Sequence, residues 1–237
     1  MNSEPIPTFY TLLSNTWPFP TKPPVNQIYL YHCSYHVPSY HDDLHLKFNI
    51  PLPEQMKNAN IKRKAEYLAG RICTKNALSH LGISMLPISQ QDRSPSWPAF
   101  TVGSITHSHH VAAAIVAETK FWITVGLDIE LLLTEHRSKK LASHIVNEQE
   151  LTLAKDDISF FITLAFSIKE SLFKALFPIT KKYFYFHDAE IITWDYSGEI
   201  TLRLLIDLSV DWKKGKTIKG LYCLKEGYIW SMIGITQ

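Results

Sequence analysis

The stretch that most constrains this chain is residues 160–177, where Lys169, Glu170 and Lys174 sit inside a run that is otherwise largely apolar. Phe160, Phe161, Ile162, Leu164, Phe166, Leu172, Phe173, Leu176 and Phe177 surround the three charges. With no Gly, and no Pro before Pro178, the segment reads as a helix that ends at Phe177. At 3.6 residues per turn, Glu170 and Lys174 share one face, one turn apart. A solvated Glu–Lys pair of this spacing is common on helices and is worth only about 0.3–0.5 kcal/mol. A second acidic site, about forty residues upstream, gives the pair another use.

That site closes the clearest strand in the chain, Phe121 to Glu130. Phe121, Ile123, Val125, Leu127 and Ile129 alternate on one face, and Trp122, Thr124, Gly126, Asp128 and Glu130 occupy the other. Asp128 and Glu130 therefore project side by side at the strand's end, beside a glycine that leaves room. Two carboxylates so placed repel each other unless a proton or a cation lies between them. Mg²⁺ suits such a place, because it takes oxygen ligands, accepts one or two protein carboxylates and fills its other positions with water and phosphates. Taken alone, the pair fits a solvated strand end equally well.

The remaining segments frame these two. Pro5, Pro7, Pro18, Pro20, Pro23 and Pro24 make residues 1–26 an extended arm, packed on the body through Phe9, Tyr10, Trp17 and Phe19. Gln27 to Cys33 reads as a strand. His41 and His45 have the i,i+4 spacing of a helical metal site, yet Pro38, Pro51 and Pro53 bracket a weakly helical segment and no third ligand is evident, so no metal is expected there. Residues 54–81 read as a long helix with an apolar stripe through Ile61, Ala65, Leu68, Ala69, Ile72, Ala77, Leu78 and Leu81, closed by Gly82. On it Arg63 and Arg71 share a face, either as ordinary surface arginines or as a pair spaced for a polyanionic ligand. Residues 86–100 form a loop that carries Arg93. Gly103, Ser104 and Thr106 then set small hydrogen-bonding groups beside His107, a turn suited to phosphate. Val111 to Ala117 is a buried strand or short helix, and its periodicity does not decide which. Residues 138–156 read as a polar helix with Ser138 as its N-cap. From Ala189 onward, alternating runs separated by turns predict antiparallel strands packed on the central helix.

Composition narrows the classes. With 46% hydrophobic and 19% charged residues, a packed core is expected. A net charge of +2, without a basic stripe interleaved with exposed aromatics, argues against nonspecific nucleic-acid binding. Cys33, Cys73 and Cys223 are scattered and form no CxxC, so neither a zinc site nor a disulfide framework is indicated, and a reducing cytoplasm fits. No secretory signal and no apolar run of about 18 residues is present. The glycine fingerprints of P-loop and dinucleotide-binding enzymes are missing.

Three motifs in order carry a resemblance: Gly103-Ser104-Ile105-Thr106-His107, then Gly126-Leu127-Asp128-Ile129-Glu130, then Phe166-Ser167-Ile168-Lys169-Glu170-Ser171-Leu172-Phe173-Lys174-Ala175. Together they resemble the 4′-phosphopantetheinyl transferases, and within them the siderophore-synthetase branch of the enterobactin synthase component D type. Glu66-Tyr67-Leu68-Ala69-Gly70-Arg71, Trp97-Pro98 and Phe177-Pro178-Ile179-Thr180-Lys181-Lys182 fit the same pattern, so the resemblance runs from about residue 54 to 190.

The resemblance implies an α/β (α+β) fold of two similar halves related by a pseudo-two-fold axis, with the site in the cleft between them. The arm then covers 1–26, the N-terminal half 27–127, and the C-terminal half, with the metal site and central helix, 128–237. It implies that coenzyme A gives its phosphopantetheine arm to a serine of an apo carrier protein and that 3′,5′-ADP leaves, with Mg²⁺ neutralising charge on the phosphate oxygens. Asp128 is then a metal ligand, and Glu130 a ligand or its close neighbour. Glu170 is left as metal ligand, base for the serine, or both. Lys174 is then a cation for the coenzyme A pyrophosphate, joined by Thr106 and His107 on the phosphates; Lys169 is a second such cation or else, about 100° around the helix from Glu170, faces the carrier or the adenosine side, while Arg63, Arg71 and Arg93 hold the 3′-phosphate and adenine. The expected partners are peptidyl, aryl or acyl carriers of siderophore, other nonribosomal peptide, polyketide or fatty-acid synthesis, served by a cytoplasmic monomer. Two other readings use the same residues. One is a Mg²⁺-dependent phosphohydrolase of coenzyme A-like nucleotides; the other is a non-catalytic coenzyme A- or carrier-binding module, against which the intact Asp128, Glu130, Glu170 and Lys174 speak.

Overall fold

In the computed structural model, which describes residues 8–21, 28–90, 92, 94–155 and 157–237, the first half of the chain makes one four-stranded antiparallel sheet with a separate two-stranded ladder, and the second half makes a five-stranded antiparallel sheet. The first half runs β1 (Tyr10–Ser14), β2 (Ile28–Tyr35), the short helix α1 (Leu44–Phe48), the long helix α2 (Ile61–Ser79), the two-residue strands β3 (Ile88–Ser89) and β4 (Pro95–Ser96), and the hairpin β5 (Thr101–Ser108) and β6 (Val111–Glu118). The second runs β7 (Trp122–Leu131), α3 (Glu135–Ile145), α4 (Glu148–Leu151), α5 (Ile158–Thr180), β8 (Ala189–Trp194), β9 (Glu199–Leu204), β10 (Thr217–Lys225) and β11 (Tyr228–Thr236). Their sheets have the orders β1-β2-β6-β5 and β7-β11-β10-β9-β8. Each half follows one plan, a long helix laid across an antiparallel sheet, α2 on the first and α5 on the second. The division drawn at 127/128 falls inside β7.

Burial explains why periodicity left Val111–Ala117 open. This segment is β6, the inner strand between β2 and β5, and Ala112 to Ala117 are all fully buried. A strand covered on both faces has no polar face to alternate with. One cover is α2; the other is an apolar cluster shared with the second half, in which Ile28, Leu30, Ala113 and Ile115 meet Val125, Leu127, Ile129 and Trp230. Phe9 and Phe19 of the arm are buried, and Tyr10–Ser14 pairs with β2 as an edge strand. Pro5, Pro7, Pro23 and Pro24 lie outside the described residues.

Helix boundaries differ from the sequence expectation where a capping side chain or a proline decides. The first long helix begins at Ile61 rather than 54, because the Asn60 side chain accepts from the Arg63 N–H at 2.8 Å and caps it there. The segment expected as one helix over 138–156 is broken in two. Thr134 caps α3, Val146 is extended, and Asn147 caps α4 in a reciprocal box with Glu150. Ser138 is therefore not a cap; it is buried inside α3 with its hydroxyl on the Thr134 carbonyl at 3.1 Å. The central helix does not stop at Phe177. Pro178 sits in its last turn, where its φ suits a helix and only the bond to the Lys174 carbonyl is given up, and Lys181 ends the helix in the left-handed conformation.

The second half clamps α5 onto its sheet at close range. A Cβ at Gly126 would fall 2.0 Å from the Ser171 carbonyl oxygen, so only glycine lets the helix backbone rest on β7 at this point. Thr124 donates to the Ala175 carbonyl at 2.6 Å, and Ser167 and Ser171 bond to Ser231 of β11 at 2.7 and 2.9 Å. These bonds set where Glu170 and Lys174 emerge. Among the described residues, no helix is long and apolar enough to cross a membrane.

Candidate active site

A cavity of about 340 Å³ opens between α2, β5 and α5. Alternation along β5 divides its residues. Thr106 turns toward β7, while His107, the next residue, turns to the cavity wall with Arg63, Glu66 and Arg71 of α2. Trp97 closes the same wall, admitted because Gly103 has no side chain; a Cβ there would lie 2.6 Å from the indole ring.

At one end the two acidic motifs converge. Asp128 is 3% exposed, and its Oδ1 accepts from Lys174 Nζ at 2.6 Å and from the Thr106 hydroxyl at 2.9 Å. Its Oδ2 is buried with no partner. Ser108 donates to Glu130 Oε2 at 3.2 Å. Burial, the Asp128 charge and, more weakly, that of Glu170 push the Glu130 carboxyl up to about 7, against the opposing effect of Ser108 and Lys174. Burial also raises Glu170, with Asp128 adding to the shift and Lys174 opposing it. Three carboxylates thus share one corner with a single lysine.

Among the described residues no group of three or more His, Cys, Asp or Glu side chains is placed so that it could hold a metal ion. A hard cation with one or two protein carboxylates, completed by phosphate and water, asks for less than that. Asp128 Oδ2 has no partner, and Glu130 and Glu170 are raised first by burial and then by neighbouring carboxylate charge, with Lys174 opposing. The donor set fits Mg²⁺.

At the other end the cavity is cationic. Arg63 Nη1 donates to His107 Nε2 at 2.9 Å, which places the imidazole proton on Nδ1, and Glu66 lies 3.4 Å from Arg63. Burial, aided by the Arg63 and Lys174 charges, lowers the His107 pKa against the pull of Glu66, so the ring is neutral at pH 7. Arg71 is 5% exposed and stands 5.1 Å over the Tyr67 ring. Its Nη2 donates to Ser89 at 3.2 Å, and its buried Nη1 has no partner among the described residues. A buried guanidinium without a carboxylate is a ready receptor for an anion.

The structure therefore sets Glu170, Lys174, His107, Arg63 and Arg71 in the lining of one cavity, with Asp128, Glu130 and Thr106 packed beside Lys174 at its acidic end. Lys169, expected among the ligand's cations, is elsewhere. Its ammonium bonds to Glu150 at 2.7 Å and to the Ile145 and Phe186 carbonyls at 2.8 and 3.0 Å, with 2% of the side chain exposed. Lys169 and Lys174 are five residues apart, so they point about 140° from each other around the helix. Arg93 lies outside the described residues, although its neighbours Asp92 and Ser94 line the cavity. His45 of the doubtful metal pair is a core residue, its ring nitrogens 2.8 Å from the Ile50 carbonyl and 2.9 Å from the Tyr40 hydroxyl. Glu66 and Ser108 were not singled out from the sequence; the period-two run Ser104, Thr106, Ser108 is the signal that held the latter.

Residues 52–117 match the 4′-phosphopantetheinyl transferase N-terminal domain, and residues 124–231 match the 4′-phosphopantetheinyl transferase superfamily. The chain is 35% identical over 167 residues to enterobactin synthase component D of Escherichia coli, covering 69% of this chain and 78% of that protein. It is 36% identical over 129 residues to the Salmonella typhimurium protein of the same name, where the match spans about half of either chain, 53% of each. It is 29% identical over 199 residues to the 4′-phosphopantetheinyl transferase PptT of Mycobacterium tuberculosis, covering 77% of this chain and 85% of that one.

Proposed function

The chain belongs to the 4′-phosphopantetheinyl transferase superfamily, and from that premise we propose that it moves the phosphopantetheine arm of coenzyme A onto a serine hydroxyl of an apo carrier protein. One observation carries the reading: a single cavity has Glu170 and Lys174 at one end, beside the buried Asp128 and Glu130, and at the other a buried Arg71 whose Nη1 has no partner among the described residues. A donor with a pyrophosphate in its middle and a further phosphate at its nucleotide end suits both. Carriers of siderophore assembly are the first choice, since relatives named for enterobactin synthase stand at about 35% identity.

Arg71 and Arg63, with His107, hold the 3′-phosphate and keep the nucleotide at the cationic end. Asp128 and Glu130 hold Mg²⁺, which when bound neutralises the pyrophosphate and the charge that grows on its leaving oxygen. Lys174, beside Asp128, gives a fixed positive charge to the same phosphates. Glu170 accepts the proton of the serine hydroxyl, and its raised pKa makes it a stronger base than a solvated carboxylate. The serine oxygen bonds to the phosphorus nearer the pantetheine as the bond from that phosphorus to the bridging oxygen breaks. The electron pair leaves with 3′,5′-ADP. Both halves of the site come from one chain, so a monomer in the cytoplasm suffices.

The test is the intact mass of an apo aryl or peptidyl carrier incubated with the protein, coenzyme A and Mg²⁺. A gain of one phosphopantetheine arm, lost on adding EDTA, is expected. Magnesium-dependent consumption of coenzyme A with no gain in carrier mass would instead make the protein a hydrolase.

A further inference from the structure

From Ser104 onward β5 carries a hydroxyl at every second residue, and each of these meets β7 across the boundary between the halves. Ser104 donates to the Leu127 carbonyl at 3.4 Å, Thr106 to Asp128 Oδ1 at 2.9 Å, and Ser108 to Glu130 Oε2 at 3.2 Å. Ser108 also accepts from the Leu131 N–H at 3.3 Å. Because side chains alternate along both strands, Thr106 and Ser108 fall in step with Asp128 and Glu130.

Thr106 does more than touch Asp128. Its one proton goes to Oδ1, and its lone pair receives Lys174 Nζ at 3.3 Å, while the same ammonium reaches Oδ1 at 2.6 Å. The three groups form a closed ring, and Thr106 and Asp128 are each 3% exposed. With Oδ1 held by two donors, the carboxylate cannot turn freely, and Oδ2 is left as the buried oxygen without a partner. Ser108 restrains Glu130 in the same way, from one oxygen.

We propose that Thr106 and Ser108 are positioning residues: the N-terminal half supplies the hydroxyls that aim the acidic pair of the C-terminal half at a divalent cation. Thr106 orients Asp128 and Lys174 together, and Ser108 orients Glu130. This replaces direct ligand binding by Thr106, whose proton is already committed. Contact with the donor's phosphates then rests on Arg63, Arg71, His107 and Lys174, which line the cavity. Outer hydroxyls of this kind are known to govern how well carboxylates hold a metal. The inference rests on the transferase reading only through its need for a cation.

Mn²⁺ binding, followed by electron paramagnetic resonance with 3′,5′-ADP present and no carrier, tests it without turnover. Thr106→Val should weaken Mn²⁺ binding by roughly 10–100-fold, with the metal-free affinity for 3′,5′-ADP within about twofold of the wild type. Thr106→Ser, which keeps the proton and the lone pair, should keep the wild-type metal affinity. Ser108→Ala should weaken it in the same direction. An unchanged Mn²⁺ affinity in Thr106→Val, with weaker 3′,5′-ADP binding, overturns the proposal and returns the hydroxyl to the donor phosphates. So does a Thr106→Ser variant as impaired as Thr106→Val. Should Thr106→Val fail to fold, Ser108→Ala decides, and a wild-type metal affinity there is the overturning result. A wild-type protein that binds Mn²⁺ yet adds no mass to any carrier is a separate failure, that of the transferase reading.

Discussion

Arg71 offers the sharpest test of the cavity, because its effects on stability and on binding should have opposite signs. The guanidinium is 5% exposed, and burial is the largest influence on it, lowering its pKa. In return it has Ser89 as a neutral acceptor at 3.2 Å, worth about 1 kcal/mol, and Tyr67, whose hydroxyl opposes that shift and whose ring at 5.1 Å is worth roughly 0.5–1 kcal/mol. The cost of burying a charge is several kcal/mol, so about 2 kcal/mol of partners does not offset it. Replacing the side chain by methionine removes the charge and keeps much of the volume. Arg71→Met should therefore unfold in urea with a free energy equal to the wild type or higher by about 1–2 kcal/mol. In binding, the lost guanidinium–phosphate bond is charge-assisted and worth about 1.5–3 kcal/mol, so the affinity for coenzyme A should fall roughly 10–150-fold. Calorimetric titration with coenzyme A and with dephospho-coenzyme A separates the phosphates, since only the former carries the 3′ group. A variant that loses more than about 2 kcal/mol of stability, or that binds coenzyme A as tightly as the wild type, would refute the reasoning.

The other expectations concern the acidic end and α5. Lys174→Ala should slow transfer by more than about tenfold, or about 1.4 kcal/mol, in a steady-state assay; an unchanged rate would leave Lys174 as no more than a partner of Asp128. Glu130 ionises near 7 in the folded chain, above the ordinary value of about 4.3, so the folded state holds its proton longer than the unfolded one. Its contribution is thus fully present below about pH 4.3 and is lost as pH rises toward about 7; urea titrations in EDTA should show that fall, and Glu130→Gln should flatten it, an unaltered slope counting against the assignment. Lys169→Met strands the buried Glu150 carboxylate and should cost roughly 3–5 kcal/mol of stability while coenzyme A affinity is kept; weaker binding in a stably folded variant would restore Lys169 to the ligand.

The sequence located the chemistry better than it located the contacts. Glu170 and Lys174 share a face by helical arithmetic alone, and the alternation from Phe121 to Glu130 placed both carboxylates on one side of a strand. What it could not give was the cover on that side. Thr124 and Asp128 are buried, because the face opposite the apolar one carries α5 and β5 rather than water. The fate of Lys169 was hidden for a related reason: its partners Glu150, Ile145 and Phe186 come from three segments that approach α5 only in the fold. Ends of helices were misplaced where a competing cap lay nearby, at Asn60, Thr134 and Asn147. The strand β6 was ambiguous because an alanine-rich segment buried on both faces carries no period to read.

Charge within the cavity is divided so that neither end is complete alone. Arg63 is 51% exposed on its side chain and shares Glu66 at 3.4 Å, so solvent and a carboxylate already weaken its field. Arg71 is buried and has no such partner among the described residues, so its field falls on whatever anion enters. At the far end Lys174 is the one cation bonded to Asp128 among the described residues, against the three carboxylates of Asp128, Glu130 and Glu170. An anion alone would be repelled there, and a cation alone would leave Arg71 unsatisfied. A phosphate-bearing nucleotide that brings its own divalent cation satisfies both at once. The carboxylates stand on β7 and α5 of one half, while the hydroxyls that steady two of them stand on β5 of the other. The geometry of the acidic corner thus depends on how the two halves dock, which explains why their shared apolar cluster, through Leu127 and Ile129, lies directly behind Asp128 on the same strand.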